Sequence, residues 1–231
     1  MTATAITSVH GRRVWDSRGR PTVEVEVALA GGATGRAIAP AGASTGSGEA
    51  VDLRDGGAAL GGFDVTRAVA AVNGPIAAVL AGADPADQAE ADRRLIEADG
   101  TENRSRLGGN ALVATSMAVA HAAAAAAGVP LWHFLAGGCH AVLPLPEIQI
   151  LGGGAHAGRR VDIQDYMVIA TGAVDYAQAL DWTAEVYRAA GALLSEEAGC
   201  RALPTRACSG RPSTPTKKGW RSWCAPSNAL A

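Results

Sequence analysis

The chain has 231 residues, with 20 basic and 22 acidic side chains and a formal net charge of −2. Apolar residues make up 48% of it and aromatic residues only 4%, so a core large enough for one or two domains must be built mainly from Ala, Val, Leu and Ile. No apolar run reaches the roughly 20 residues of a membrane span, and the N-terminus lacks the pattern of a signal peptide. We therefore expect a cytoplasmic protein with no membrane span. The four cysteines show no C-x-x-C spacing and predict neither a zinc site nor a disulfide framework.

The first part of the chain predicts strands followed by helices. Apolar and polar residues alternate over 5–29 on either side of a turn at 16–21, which predicts an antiparallel hairpin with one solvated face. A third strand is predicted over 35–40. Apolar residues then recur at helical spacing, and the predicted helices are 64–79, 84–98, 110–127 and 131–135. This order predicts an α+β domain over 1–137.

After Gly138 the pattern changes. We predict a buried strand over 143–151, a glycine-rich loop, a second strand over 164–170 and a long helix over 176–194. This order predicts the start of an incomplete α/β (TIM-like) barrel over 138–198, whose strands we expect to be parallel. A sheet of so few strands leaves an apolar face and an unpaired edge, so we expect this part to be unstable in isolation.

Two segments carry residues suited to chemistry. The small-residue loop 41–48 allows close backbone approach to a ligand, and Ser44 and Thr45 could supply oxygens to a phosphate site or a magnesium ion. His156 lies among glycines and alanines, where an imidazole is accessible and can exchange a proton near neutral pH. Taken separately, each has a simpler interpretation, since most such loops are only loops and the histidine could be a surface residue.

Gln164 and Asp165 form a second polar pair. Neighbouring residues on a strand face opposite sides, so both can serve one site only at a bulge or a strand end. The simpler interpretation makes Asp165 a solvated turn residue. Considered together and in their order along the chain, the motifs favour the functional interpretations over the simpler ones.

Seven motifs occur in the order and spacing of one family. They are Asp16-Ser17-Arg18-Gly19 with Pro21-Thr22-Val23-Glu24-Val25, Gly42-Ala43-Ser44-Thr45-Gly46, Leu53-Arg54-Asp55-Gly56, Asn110-Ala111, Gly128-Val129-Pro130-Leu131, His156-Ala157-Gly158, and Gln164-Asp165 followed by Met167. From about Ile6 to about Leu194 the chain closely resembles the enolases, the phosphopyruvate hydratases of glycolysis.

The resemblance implies a small N-terminal α+β domain, a C-terminal eight-stranded α/β barrel and a homodimer. It also implies a carbon–oxygen lyase that reversibly dehydrates 2-phosphoglycerate to phosphoenolpyruvate with Mg²⁺ as cofactor. By position, Ser44 resembles a magnesium ligand on a closing loop, and His156 and Gln164 resemble substrate-binding residues. Asp165 stands in the substrate wall where the family usually has Glu, which shortens its reach by roughly 1 Å.

Other family residues have no counterpart. The Asp-Glu-Gly-Gly segment with the catalytic acid, the acidic ligands of the first magnesium ion, the lysine base and the His-Arg-Ser loop are all missing. A barrel of this type needs about 250 residues, whereas 92 follow Cys139. We therefore assign no catalytic residue and expect this chain to be inactive alone. The alternative is a non-catalytic fragment that retains the N-terminal domain for dimerisation or binding.

The last segment, 199–231, differs in composition. From Cys200 onward there are six basic residues and no acidic ones, and both lysines of the chain lie there. Back-translation in a shifted frame can restore Asp-Glu-Gly and Asn-Glu-Glu-Gly, so our hypothesis is a frameshift near 194–199. A nucleic-acid arm is disfavoured, because the bases lack helical spacing and lie among Pro, Ser and Gly, and we expect no nucleic-acid partner.

Overall fold

The structure is a computed structural model that describes residues 4–42, 46–154 and 161–198. The chain divides into two compact units, unit one over 1–141 and unit two over 142–231. Unit one holds an α+β domain with the strands first, and unit two holds two strands followed by a helix. The tail 199–231, including its proposed frameshift, lies outside the described residues.

The sheet of unit one has three antiparallel strands in chain order, β1 (Ile6–Trp15), β2 (Pro21–Leu29) and β3 (Thr34–Ile38). Alternate residues of β2 face opposite sides. Val23, Val25 and Val27 are completely buried, while the glutamates between them are only partly covered. The predicted hairpin with one solvated face is therefore confirmed.

The helices of unit one cover the face of this sheet that carries the buried valines of β2. After a short 3₁₀ turn at Ala59–Gly62, α1 (Thr66–Ala71) continues through a π-helical turn (Val72–Ile76) into α2 (Ala77–Leu80). The remaining helices are α3 (Gln88–Asp99), α4 (Gly109–Ala126) and α5 (Leu131–Ala136). The second predicted helix starts later than expected because Asp87 is its N-cap, accepting a hydrogen bond from the N–H of Glu90 at 3.0 Å.

Helix α4 forms the centre of the core and packs directly on β2 and β3. A Cβ on Gly35 of β3 would lie 2.1 Å from the backbone nitrogen of Ala122, so only glycine permits this approach. By length and mean hydropathy (1.2), α4 is the one candidate membrane span in the described part of the chain, but 67% of it is buried within the structure. This burial is typical of a core helix.

Unit two contains β4 (Glu147–Gly152), β5 (Asp165–Ile169) and α6 (Tyr176–Ala198), which packs against both strands. The two strands are antiparallel, with Ile148 opposite Val168, so our expectation of parallel strands was wrong. The N–H of Gly153 donates to the carbonyl of Gln164 at 2.6 Å, which closes the connection as a hairpin and reverses the chain.

The first strand of unit two is also shorter and less buried than predicted. It begins at Glu147 rather than at 143, and Leu143 is 73% exposed. Pro144 and Pro146 precede the strand, and a proline has no N–H to contribute to a ladder. The apolar residues before them therefore remain outside the sheet.

Candidate functional site

The loop predicted to bind magnesium is anchored at its entrance by Arg18. Ser44 itself lies outside the described residues. The Arg18 guanidinium donates to the carbonyl oxygens of Ala41 and, at 3.4 Å, Gly42. Asp16 holds the turn that presents Arg18, since one carboxylate oxygen accepts the N–H groups of Arg18 and Arg20 at 2.8 Å each. The bond from Arg20, and after it the one from Arg18, lowers the pKa of Asp16.

The exit of the same loop is anchored on the first turn of α4. The buried Asn110 accepts from the N–H of Leu53 at 3.2 Å and donates to its carbonyl at 3.1 Å. The N–H of Gly109 donates to the carbonyl of Val51 at 2.7 Å. The Asn-Ala motif, to which the sequence assigned no role, thus fixes the chain that follows the loop onto the core.

In unit two the structure brings Gln164 and Asp165 together, whereas His156 lies outside the described residues. Strand β5 begins at Asp165, so Gln164 precedes the ladder and is not held to the opposite face. Its Nε2 donates to one carboxylate oxygen of Asp165 at 3.3 Å. The pair meets at a strand end, one of the two arrangements that allow both residues to serve one site.

Gln149 on β4 is a third member of this cluster, and the sequence did not predict it. Its Nε2 donates to the other carboxylate oxygen of Asp165. Gln149 lies opposite Met167, which shares a face with Asp165 two residues earlier. Both oxygens of the carboxylate are therefore oriented by side-chain amides, and each oxygen keeps a lone pair for a further donor.

The described residues do not fit a magnesium site on their own. None of them forms a group of three or more His, Cys, Asp or Glu side chains able to hold a metal ion. Gln149 and Gln164 add only amides beside a single carboxylate, whereas magnesium sites use carboxylates together with substrate phosphates.

Comparison with known proteins assigns the family. Residues 6–135 match the family model "Enolase, N-terminal domain", and residues 140–205 match "Enolase, C-terminal TIM barrel domain". The enolase of Rubrobacter xylanophilus is 53% identical over 195 residues, which is 84% of this chain and 45% of that relative. The chain thus spans about half the length of the curated relative that it matches. The chain belongs to the enolase family.

Proposed function

We propose that this chain is the N-terminal part of an enolase that catalyses the reversible, magnesium-dependent dehydration of 2-phosphoglycerate to phosphoenolpyruvate in glycolysis. The observation that supports this best is the carboxylate of Asp165, whose two oxygens are held by Gln149 and Gln164. A carboxylate oriented in advance binds a substrate at a lower entropic cost than a freely rotating one. Asp165 occupies the position at which the resemblance to the enolases implies an acidic residue in the wall of the substrate site.

In this proposal the chain binds and orients substrate, and the rest of the barrel supplies the catalytic acid and base. Asp165 accepts a hydrogen bond from a substrate hydroxyl, and Gln164 donates to a substrate oxygen. By the resemblance, His156 would contact the substrate and Ser44 would supply its hydroxyl to Mg²⁺. The chain alone binds substrate weakly and does not catalyse its dehydration. The complete protein is a cytoplasmic homodimer.

A second candidate, a non-catalytic dimerisation or binding module, is favoured by the closed core of unit one. The largest fully buried side chains of this core include Ile6, Ile76 and Leu80, and the core is drawn from β1 to α4. A domain that buries its own apolar residues can fold without the barrel. Under this proposal the chain retains partner binding and has lost catalysis.

The test is a chimera in which residues 1–198 of this chain are joined to the C-terminal part of the R. xylanophilus enolase. We expect the chimera to form phosphoenolpyruvate from 2-phosphoglycerate with Mg²⁺, followed by ultraviolet absorbance, and the 231-residue chain to form none. Replacing Asp165 by Ala should lower kcat/KM about 100-fold, as expected for a misplaced substrate.

The matched control is Asp165→Glu, which keeps the charge and restores the side-chain length usual in the family, so it should retain more of kcat/KM than Asp165→Ala does. A chimera that folds, dimerises and shows no turnover would reject the enolase proposal and favour the second candidate. If the 231-residue chain alone catalysed the reaction, the proposal that the rest of the barrel supplies the catalytic acid and base would be wrong.

A further inference from the structure

The register of the β4–β5 hairpin decides which side chains of β4 can meet Asp165. Gln149 lies opposite Met167 of β5. The register then shifts by one residue, so Gly152, and not Leu151, lies opposite Asp165. A bulge of this kind adds one residue to one strand and often redirects side chains beside functional sites. Because glycine has no side chain, the position directly opposite Asp165 contributes no contact to its carboxylate.

Gln149 reaches the carboxylate diagonally across the strand pair. Asp165 and Met167 are two residues apart on β5 and share a face, and Gln149 lies opposite Met167 on that face. Diagonal neighbours on antiparallel strands are about 7–8 Å apart, a distance that long side chains can span. The Nε2 of Gln149 spans it and donates to Oδ1 of Asp165.

The two side chains complement each other in length. Gln149 supplies a long side chain and Asp165 a short one, and together they close the diagonal gap between the strands. Either Gln149→Asn or Asp165→Glu alone changes their combined length by one methylene, which is roughly 1 Å of reach, a misplacement large enough to cost activity. The two substitutions together move one methylene from one side chain to the other and leave the combined length unchanged.

This contact contributes little to folding. Gln149, Gln164 and Asp165 are all exposed. Loss of a hydrogen-bond partner is costly where it leaves a buried polar group unsatisfied, whereas water can replace the partner of an exposed group. The main effect of the contact is therefore on the orientation of the Asp165 carboxylate.

We propose that Gln149 is a positioning residue for the substrate site, and that the combined length of Gln149 and Asp165 fixes where the carboxylate lies. Gln149 acts through Asp165 and does not touch the substrate. This inference rests on the proposed function, in which Asp165 accepts a hydrogen bond from a substrate hydroxyl. It identifies the residue that compensates for an acid one methylene shorter than the family usually has at this position.

The experiment measures kcat/KM for 2-phosphoglycerate in the chimera described above and in three variants of it. Gln149→Asn and Asp165→Glu should each lower kcat/KM about tenfold, because each misplaces the carboxylate by roughly 1 Å. Independent effects would multiply to about 100-fold in the double variant. We expect the double variant instead to have a higher kcat/KM than either single variant.

Two controls locate the effect at the contact between the strands. Gln178→Asn also shortens a glutamine of unit two, at the start of α6, where its side chain accepts from the N–H of Val174 at 2.9 Å, and it should leave kcat/KM unchanged. Gln164→Asn shortens the sequence neighbour of Asp165 instead of its cross-strand partner. Combined with Asp165→Glu, it should give a kcat/KM no higher than that of Asp165→Glu alone.

Thermal unfolding separates positioning from a structural role. The midpoint of Gln149→Asn should stay within about 2 °C of the parent chimera, since the side chain is exposed. A lower midpoint that accounts for the lost activity, or a double variant as impaired as the product of the single effects, would show that the proposal is wrong.

Binding of phosphoenolpyruvate, measured by calorimetry, distinguishes failure of this inference from failure of the proposed function. If the parent chimera binds phosphoenolpyruvate but shows no turnover, the proposed function is rejected, and the same comparison of variants, made on their dissociation constants, decides the role of Gln149. If the parent chimera is active and the double variant does not recover, the proposed function stands and the positioning role is rejected. A parent chimera that neither binds nor converts its ligands would reject both.

Discussion

Asn110→Ala should be among the most destabilising single changes in unit one. Its side chain makes two buried hydrogen bonds to the backbone of Leu53, at 3.2 and 3.1 Å. Leaving one buried polar group unpaired costs about 1–3 kcal/mol, so the two groups of Leu53 together cost about 2–6 kcal/mol. The better helix propensity of Ala returns about 0.5 kcal/mol. The net loss, about 1.5–5.5 kcal/mol, is a large fraction of the roughly 5–15 kcal/mol that stabilises a domain.

The assay is native-state hydrogen exchange at Val25 and Val27 of the central strand β2, whose amides report the opening of the whole unit. A loss of about 1.5–5.5 kcal/mol accelerates their exchange roughly tenfold or more. Asn73 is the matched control, because it makes the same pair of bonds to the backbone of Gly11, at 2.8 and 2.9 Å, from an exposed position.

Both bonds of Asn73 to Gly11 are only partly buried, whereas those of Asn110 to Leu53 are buried, so Asn73→Ala should cost less, about 0.5–1 kcal/mol. If Asn73→Ala accelerates exchange as much as Asn110→Ala does, burial of the unpaired backbone groups is not the source of the effect. The reasoning from buried hydrogen bonds would then be refuted.

Three further results are expected. Gly35→Ala should destabilise unit one by about 2–3 kcal/mol through overpacking against α4, whereas Gly74→Ala, with open space around its Cβ, should not; equal urea midpoints would contradict this. Burial raises the pKa of Asp99, but hydrogen bonds from the Thr101 side chain and from backbone N–H groups outweigh it, and the pKa lies below its ordinary 3.8. The stability contributed by Asp99 is therefore present above about pH 4 and is lost as the pH falls through the folded value, so Asp99→Asn should flatten the acid limb of an unfolding-versus-pH curve; an unchanged limb would contradict the assignment. Limited proteolysis should reduce the chain to a fragment ending near Gly138, and a resistant chain of full length would show that unit two is stable by itself.

The proposed frameshift has its own test at the level of the gene. Resequencing the region that encodes 194–199 should reveal a second frame that continues the family sequence. An uninterrupted frame with no such continuation downstream would reject the hypothesis.

Local patterns were enough to predict unit one. The alternation in β2 places its apolar residues on one face, whereas α4 is apolar through most of its length, and a single closed core buries both. Where prediction failed there, the cause was local, as at Asp87, whose capping bond starts α3 later than the apolar pattern does. The motifs, read in order, were likewise enough to identify the family.

Unit two shows what a sequence pattern leaves open. The sequence by itself determined that strands flank a glycine-rich loop and that Gln164 and Asp165 are adjacent. Only the tertiary structure decided that the strands are antiparallel, because strand direction depends on how the connection closes. It also decided that Gln149 holds Asp165, since a contact between residues 16 apart in sequence exists only once the strand register is set.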